Sequence, residues 1–288
     1  MLAVMGAAVA GLYLFSSYQV KKRAPSPMAC DVLREPGHTF LQQIDERGEA
    51  VQVCRIAVIT VPLLAFAVHV SYSYFAGMPE SWLRGVISAA LALLFTGFYA
   101  FRLLRLVAER RSLRLRYDSE VAVGQELNLL MADGYRVFHD FPADSFKIDH
   151  LVVGPTGVMV VETRSWSRNH KRDAIVPYDG RMLHFPKYSD YETIDQANRK
   201  AEWFSQWISD AVGEEISARA MVALPGWSVK RTSADGIPVV SPKQFAALFK
   251  HIKPRPMNPE LMQGIVQQIE ARCLTPGVGP AEKQDPEA

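Results

Sequence analysis

The sequence predicts an α/β domain, a mixed sheet flanked by helices, preceded by two or three transmembrane helices. Three observations predict it. Apolar runs long enough to cross a bilayer occur only before about residue 105. After residue 117, apolar runs of strand length alternate with stretches of helical period. Glycine turns and Pro-containing caps separate those runs.

The chain has 288 residues and a formal net charge of +2, too small to indicate a partner by itself. Cys30, Cys54 and Cys273 are scattered and lack C-x-x-C spacing, which excludes a disulfide framework and a structural zinc site. Residues 1–23 read as an N-terminal membrane anchor, because Leu2 to Tyr18 is apolar and Lys21, Lys22 and Arg23 follow it. A cleaved signal would carry its charge before the apolar run. Residues 24–55 read as a polar cytoplasmic loop and 56–105 as a transmembrane helical hairpin turned by "MPESWLRG". Arg102, Arg105, Arg110, Arg111, Arg114 and Arg116 mark residues 106–116 as a basic juxtamembrane linker. Excess Arg on that side predicts an inner-membrane, multi-pass protein whose later residues are cytoplasmic. For each segment the competing interpretation is a buried core helix.

Residues 117–273 read as one domain, and 274–288 as a disordered Pro/Gly/acid-rich tail. Asp118 or Ser119 can cap a helix with Val123, Leu127 and Leu130 on one face and Gly134 as its stop. "YRVFHDF", "FKIDHLVVG" and "GVMVVETR" follow as strands, the last two joined by a Gly-Pro-Thr-Gly turn and so antiparallel. Asp179-Gly180 between apolar flanks signals a tight hairpin. Ile194, Ala197, Ala201, Phe204 and Ile208 recur at helical spacing, with Trp203 and Trp207 read as packing. "ARAMVA" and "GIPVVS" are strands, and Ser241-Pro242 and Asn258-Pro259 open two final helices.

Two strands here carry carboxylates inside apolar runs. Residues two apart share a strand face, so Lys147 joins Asp149 and Glu162 joins Arg164. A hairpin about the Gly154–Gly157 turn can set both acids on one face. A helix packed on that face can deliver Glu120 to them. Carboxylates brought together in a dry cleft repel one another unless a cation intervenes, and a hard cation such as Mg²⁺ or Mn²⁺ takes oxygen ligands. His150 faces away from Asp149 and reads as packing.

The stretches "SEVAVGQEL", "KIDHLVVGPTGVMVVETRSW", "DQANRKAEWF" and "VALPGW" resemble the nuclease-related domain, NERD, of the PD-(D/E)XK restriction-endonuclease-like superfamily. The resemblance covers about Tyr117 to Phe249. It implies a restriction-endonuclease-like αβββαβ core, Asp149 and Glu162 as metal ligands, Glu120 assisting, and Gln196 in the site from the second helix. The position of the family's lysine holds Arg164. A guanidinium binds phosphate well but cannot take a proton from water. Lys147, beside Asp149, can instead supply an ammonium and contact nucleic acid. "RSWSRNHKRD" groups Arg168, Lys171 and Arg172 with Trp166, a basic and aromatic surface suited to a nucleic-acid backbone. A solvated loop near anionic lipid is the plain alternative.

The expected function is thus a membrane-anchored, Mg²⁺-dependent nuclease with nucleic acid, DNA foremost, and the bilayer as partners. Glu120, Asp149, Glu162, Arg164 and Gln196 form its site. The alternatives are a catalytically impaired module that tethers nucleic acid or a protein to the inner membrane, and a membrane scaffold.

Overall fold

The computed structural model describes residues 32–75, 82–166, 175–253 and 257–275. The chain divides into two compact units, one of residues 1–25 and 42–114, the other of 26–41 with 115–288. In chain order β1 (Val32–Leu33) precedes two long helices, α1 (His38–Phe75) and α2 (Trp82–Asn128). A 3-10 turn, Leu129–Asp133, follows. Next come β2 (Arg136–Pro142), β3 (Lys147–Gly154) and β4 (Gly157–Thr163). After them lie β5 (Ile175–Tyr178), β6 (Leu183–Phe185), β7 (Tyr188–Asp190) and α3 (Glu192–Val212). The chain continues through β8 (Ala218–Ala223), β9 (Ser228–Arg231) and β10 (Val239–Val240). It closes with α4 (Phe245–His251), α5 (Pro259–Cys273) and β11 (Leu274–Thr275).

In the first unit, α1 and α2 are long and apolar enough to cross a membrane, by length and composition alone. Val51, Cys54, Ala57, Val61 and Ala65 form a buried stripe at three- and four-residue spacing, whereas Leu63, Phe66, Leu94 and Phe98 are exposed. The first apolar segment, residues 2–18, lies outside the described residues. Two boundaries differ from expectation. Helix α1 starts at His38, so it takes in residues 38–55, expected to be loop. Helix α2 runs unbroken through residues 106–116 and past Asp118 and Ser119, expected to be a linker and a cap. Neither glycine nor proline occurs between Phe98 and Val123, so nothing in the backbone stops the helix there. It stops where Gly134 takes up a left-handed φ of 86°.

The second unit is built on a five-stranded sheet of order β10-β8-β4-β3-β2. Strands β2, β3 and β4 are antiparallel neighbours, and β8 runs parallel to β4. The expected α, β, β, β, α, β order is therefore present as α2, β2, β3, β4, α3 and β8. One face carries Val152, Met159, Val161 and Met221 against Val123 and Leu127 of α2, Leu130 of the 3-10 turn, and Phe245 and Phe249 of α4. The other carries Leu151, Val153, Val158, Val160 and Val222 against α3 and α5. All five apolar positions anticipated on α3, Ile194 to Ile208, are buried there. Trp203 and Trp207 stack at 6.3 Å between centroids and pack against the same core. A second sheet, β7-β6-β5-β9, forms around the Asp179-Gly180 hairpin, with Tyr178 opposite Leu183. Its strands β7 and β9 are too short and polar to show in the sequence.

Candidate active site

The site is assembled at the ends of β2, β3 and β4. The register pairs His150 with Val161. One step further, it sets Asp149 against Glu162. On the other side the ladder pairs His139 with His150 and Phe141 with Ile148, leaving Asp140 and Asp149 between those pairs. Asp140 has a positive φ of 50°, uncommon for a residue with a side chain. The three antiparallel neighbours β4, β3 and β2 thus each bring one carboxylate to the same place.

Helices supply the remaining groups from both layers. Glu162 lies on the face covered by α3, and Lys200 of that helix donates to its Oε2 at 2.5 Å. Helix α2 covers the opposite face, not the face of Glu162 as the sequence suggested, yet Glu120 still reaches the cluster. The Lys147 ammonium explains how. Its Nζ lies 2.7 Å from both Glu120 oxygens, 2.9 Å from Asp140 Oδ1 and 3.3 Å from Asp149 Oδ1. The Thr163 amide donates to Asp149 Oδ2 at 2.8 Å. Asp140 also accepts from the Thr39 amide (3.2 Å) and hydroxyl (2.6 Å), with Arg34 at 3.5 Å. Segment 34–40 therefore belongs to the site.

Four carboxylates, Glu120, Asp140, Asp149 and Glu162, are bonded to two ammoniums and the Arg34 guanidinium. The cluster is one positive charge short, and its protonation reflects that. Burial, reinforced by the Asp149 charge, pushes the Glu120 and Glu162 carboxyls well above the usual range against the pull of their lysines. Burial alone would raise Asp149 as well, but Lys147 and Lys200 hold it down at about 2. The Lys147 ammonium is destabilised by burial, yet Asp149, Glu120 and Asp140 raise it above its ordinary value.

The cluster opens into a cleft of about 260 Å³. Glu120, Asp149, Glu162, Arg164 and Gln196 all line it, as do Lys147 and Lys200. Phe40, Phe146 and Trp166 form aromatic walls, and Arg116 lies at its edge. Arg164 leaves its strand towards Asp190, 3.8 Å away, and stacks on Trp166 at 5.3 Å. Asp190 in turn accepts from the Thr193 amide and hydroxyl and so anchors the start of α3. Lys147, expected to contact nucleic acid, spends its ammonium on three carboxylates. Arg168, Lys171 and Arg172 lie outside the described residues.

Sequence reading missed Lys200, Asp140 and Phe40. Lys200 had a signal, since it lies four residues after Gln196 and so on the same helical stripe. Asp140 had one too, being an acid inside "VFHDFP", the third strand to carry one. Phe40 lies in the first turn of α1, far from the strands in sequence, and only folding brings it to the cleft.

Among the described residues, no three His, Cys, Asp or Glu side chains are grouped closely enough to hold a metal ion. The donor set is nonetheless all oxygen, the kind a hard cation takes. Lys147 and Lys200 bond the very oxygens such an ion would draw on.

Residues 115–225 match the model of the family described as the nuclease-related domain. The chain carries a NERD domain. No curated protein and no solved structure gives a significant match. The NERD segment holds Glu120, Asp140, Lys147, Asp149, Glu162, Arg164, Gln196 and Lys200. Arg34, Thr39 and Phe40, which complete the same site, come from outside it.

Proposed function

We propose that the NERD domain binds nucleic acid in the Glu120–Asp149–Glu162 cleft and hydrolyses a phosphodiester there with Mg²⁺. The observation that carries this reading is the convergence of carboxylates from two neighbouring strands and one helix on a cleft also lined by Lys147, Arg164, Gln196 and Lys200. Asp149 and Glu162 would hold the metal ion. When bound, it would polarise the phosphate and lower the pKa of a coordinated water.

The chain's own residues do the rest. Lys200, beside Glu162, supplies the ammonium that the strand lacks at Arg164, and it faces charge developing on the phosphate. Arg164 stays cationic and offers a planar fork to a phosphate oxygen at the rim. Gln196, one turn before Lys200, can donate an amide hydrogen to water or phosphate. Lys147 keeps Glu120 and Asp149 together despite their mutual repulsion. The exposed apolar surfaces of α1 and α2 suit a bilayer, and we read these helices as the anchor of an inner-membrane protein whose NERD domain is cytoplasmic.

The test is cleavage of plasmid DNA and of RNA by the full-length chain in detergent, with and without Mg²⁺. Cleavage that needs Mg²⁺ and is lost in Glu162→Ala supports the reading. Salt-sensitive binding without cleavage supports a second one, a tethering module with an inactive centre. The observation favouring that alternative is the direct Lys200–Glu162 ion pair, together with Arg164 turned towards Asp190.

A further inference from the structure

Behind the acids, on the α2 side of the sheet, lies a chain of polar side chains that the proposed chemistry does not use. Asn128 Oδ1 is 3.0 Å from His139 Nε2. His139 Nδ1 is 2.9 Å from His150 Nδ1, and His150 Nε2 is 3.1 Å from Thr163 Oγ1. The two imidazoles are a cross-strand pair of β2 and β3, with their planes at 85°. Both are buried, His150 completely. Gly124 of α2 makes room for the first ring, since a Cβ there would lie 3.3 Å from His139 Cε1 and 2.5 Å from Pro36 Cγ.

Hydrogen-bond chemistry fixes the direction of this chain. Neither ring is bonded to a carboxylate, so a charge on either would be buried without a bonded counterion. Neutral rings each carry one N–H. The Asn128 carbonyl oxygen only accepts, which places the His139 proton on Nε2 and leaves Nδ1 as an acceptor. His150 must then carry its proton on Nδ1 and accept at Nε2. Thr163 therefore donates its hydroxyl hydrogen to His150. Its backbone N–H is the same group that holds Asp149 Oδ2.

We propose that Asn128, His139, His150 and Thr163 form a neutral, one-directional hydrogen-bond relay that positions the Thr163 amide against Asp149. These are positioning residues. The relay pins the end of β4 from behind, and Asp149 is held from that pinned backbone. The relay itself stands on the bonds above; its bearing on hydrolysis rests on the function proposed for the cleft.

The test uses the full chain in lipid nanodiscs, labelled with ¹⁵N-histidine and assigned by single His→Gln variants. Long-range ¹H–¹⁵N spectra at neutral pH should show His139 as the Nε2–H tautomer and His150 as the Nδ1–H tautomer. The opposite pair, or a charged ring in either place, overturns the relay. Amide exchange at residue 163 supplies the second readout. Exchange should speed up roughly tenfold or more in Thr163→Val, the loss of about one hydrogen bond, and return to the native rate in Thr163→Ser. Unchanged exchange in Thr163→Val overturns the positioning role. If that variant does not fold, the tautomers of the native chain decide alone. None of these readouts needs cleavage, so an inactive domain with the expected tautomers would refute the nuclease reading and leave the relay standing.

Discussion

Lys200 donates to Glu162 at 2.5 Å from a helix, so the ammonium at the strand acid comes from α3 rather than from the strand position that Arg164 occupies. Both partners are almost fully buried, with side-chain exposures of 7% and 6%. Removing one charge leaves the other buried without its partner, a change that typically costs about 3–5 kcal/mol. Lys200→Met should therefore lower the unfolding free energy by about that amount, and Lys200→Met with Glu162→Gln should recover most of it. A denaturant titration of the three chains measures the difference. A single variant as stable as the native chain would contradict the pair.

Arg164→Lys tests which cation serves the centre. Because Lys200 already sits on Glu162, restoring lysine on the strand should change Mg²⁺-dependent cleavage only slightly, whereas Lys200→Ala should reduce it by orders of magnitude. A large gain in Arg164→Lys would show instead that the native centre is crippled by its guanidinium.

His139 should cost the domain stability as the solution is acidified. Burial lowers this imidazole from 6.5 to about 4, with Asp140 opposing. Between those values the unfolded chain binds a proton that the folded chain refuses, so this residue's contribution is complete above pH 6.5 and is lost as pH drops to 4, while Glu162, raised by burial to about 7, acts in the opposite direction. The His139 shift corresponds to about 3 kcal/mol. Melting curves from pH 7 to 4 should show a steeper loss for the native chain than for His139→Gln, and parallel curves would exclude the effect.

Cys273 offers a probe of opening. Its thiol is buried at the end of α5, and burial pushes it up to about 12. The thiolate is the reactive form, so an alkylating reagent at pH 8 should leave Cys273 unmodified in the folded chain and label it in denaturant. Peptide mass spectrometry reads the labelling.

Thr39 tests whether the segment before α1 belongs to the domain. Its amide and hydroxyl both donate to Asp140 Oδ2. Thr39→Val removes the 2.6 Å hydroxyl bond and should cost about 1.5–3 kcal/mol, the value of a hydrogen bond to a charged group. Thr39→Ser should restore it. No change in melting would place the segment outside the folded unit.

Local pattern made much of this fold legible. The Gly154–Gly157 turn, the stripe from Ile194 to Ile208 and the Asp179-Gly180 hairpin are short-range signals, and each appears where its residues predict. Glu120, Asp149, Glu162 and Gln196 could be named because strand and helix periodicity, together with the family likeness, point at them. Ion pairing was illegible. Lys147 was expected to offer its ammonium to nucleic acid, yet it is held by three carboxylates, because burial and partner count depend on which strands meet. The reach of α2 was also hidden, since Arg-rich sequence reads equally as the end of a membrane segment or as the middle of a helix. The role of residues 34–40 could not be read at all, because their partners lie about 100 positions downstream.

That last separation has a consequence for biogenesis. Val32 and Leu33 pair with Thr275 and Leu274, so the first and last described residues close one sheet. Ribosomes make β1 before both apolar helices, and β11 only after them and after the NERD segment. The second unit therefore closes only after both helices have been made, and its earliest segment waits, without its strand partner, while about 240 intervening residues are synthesised.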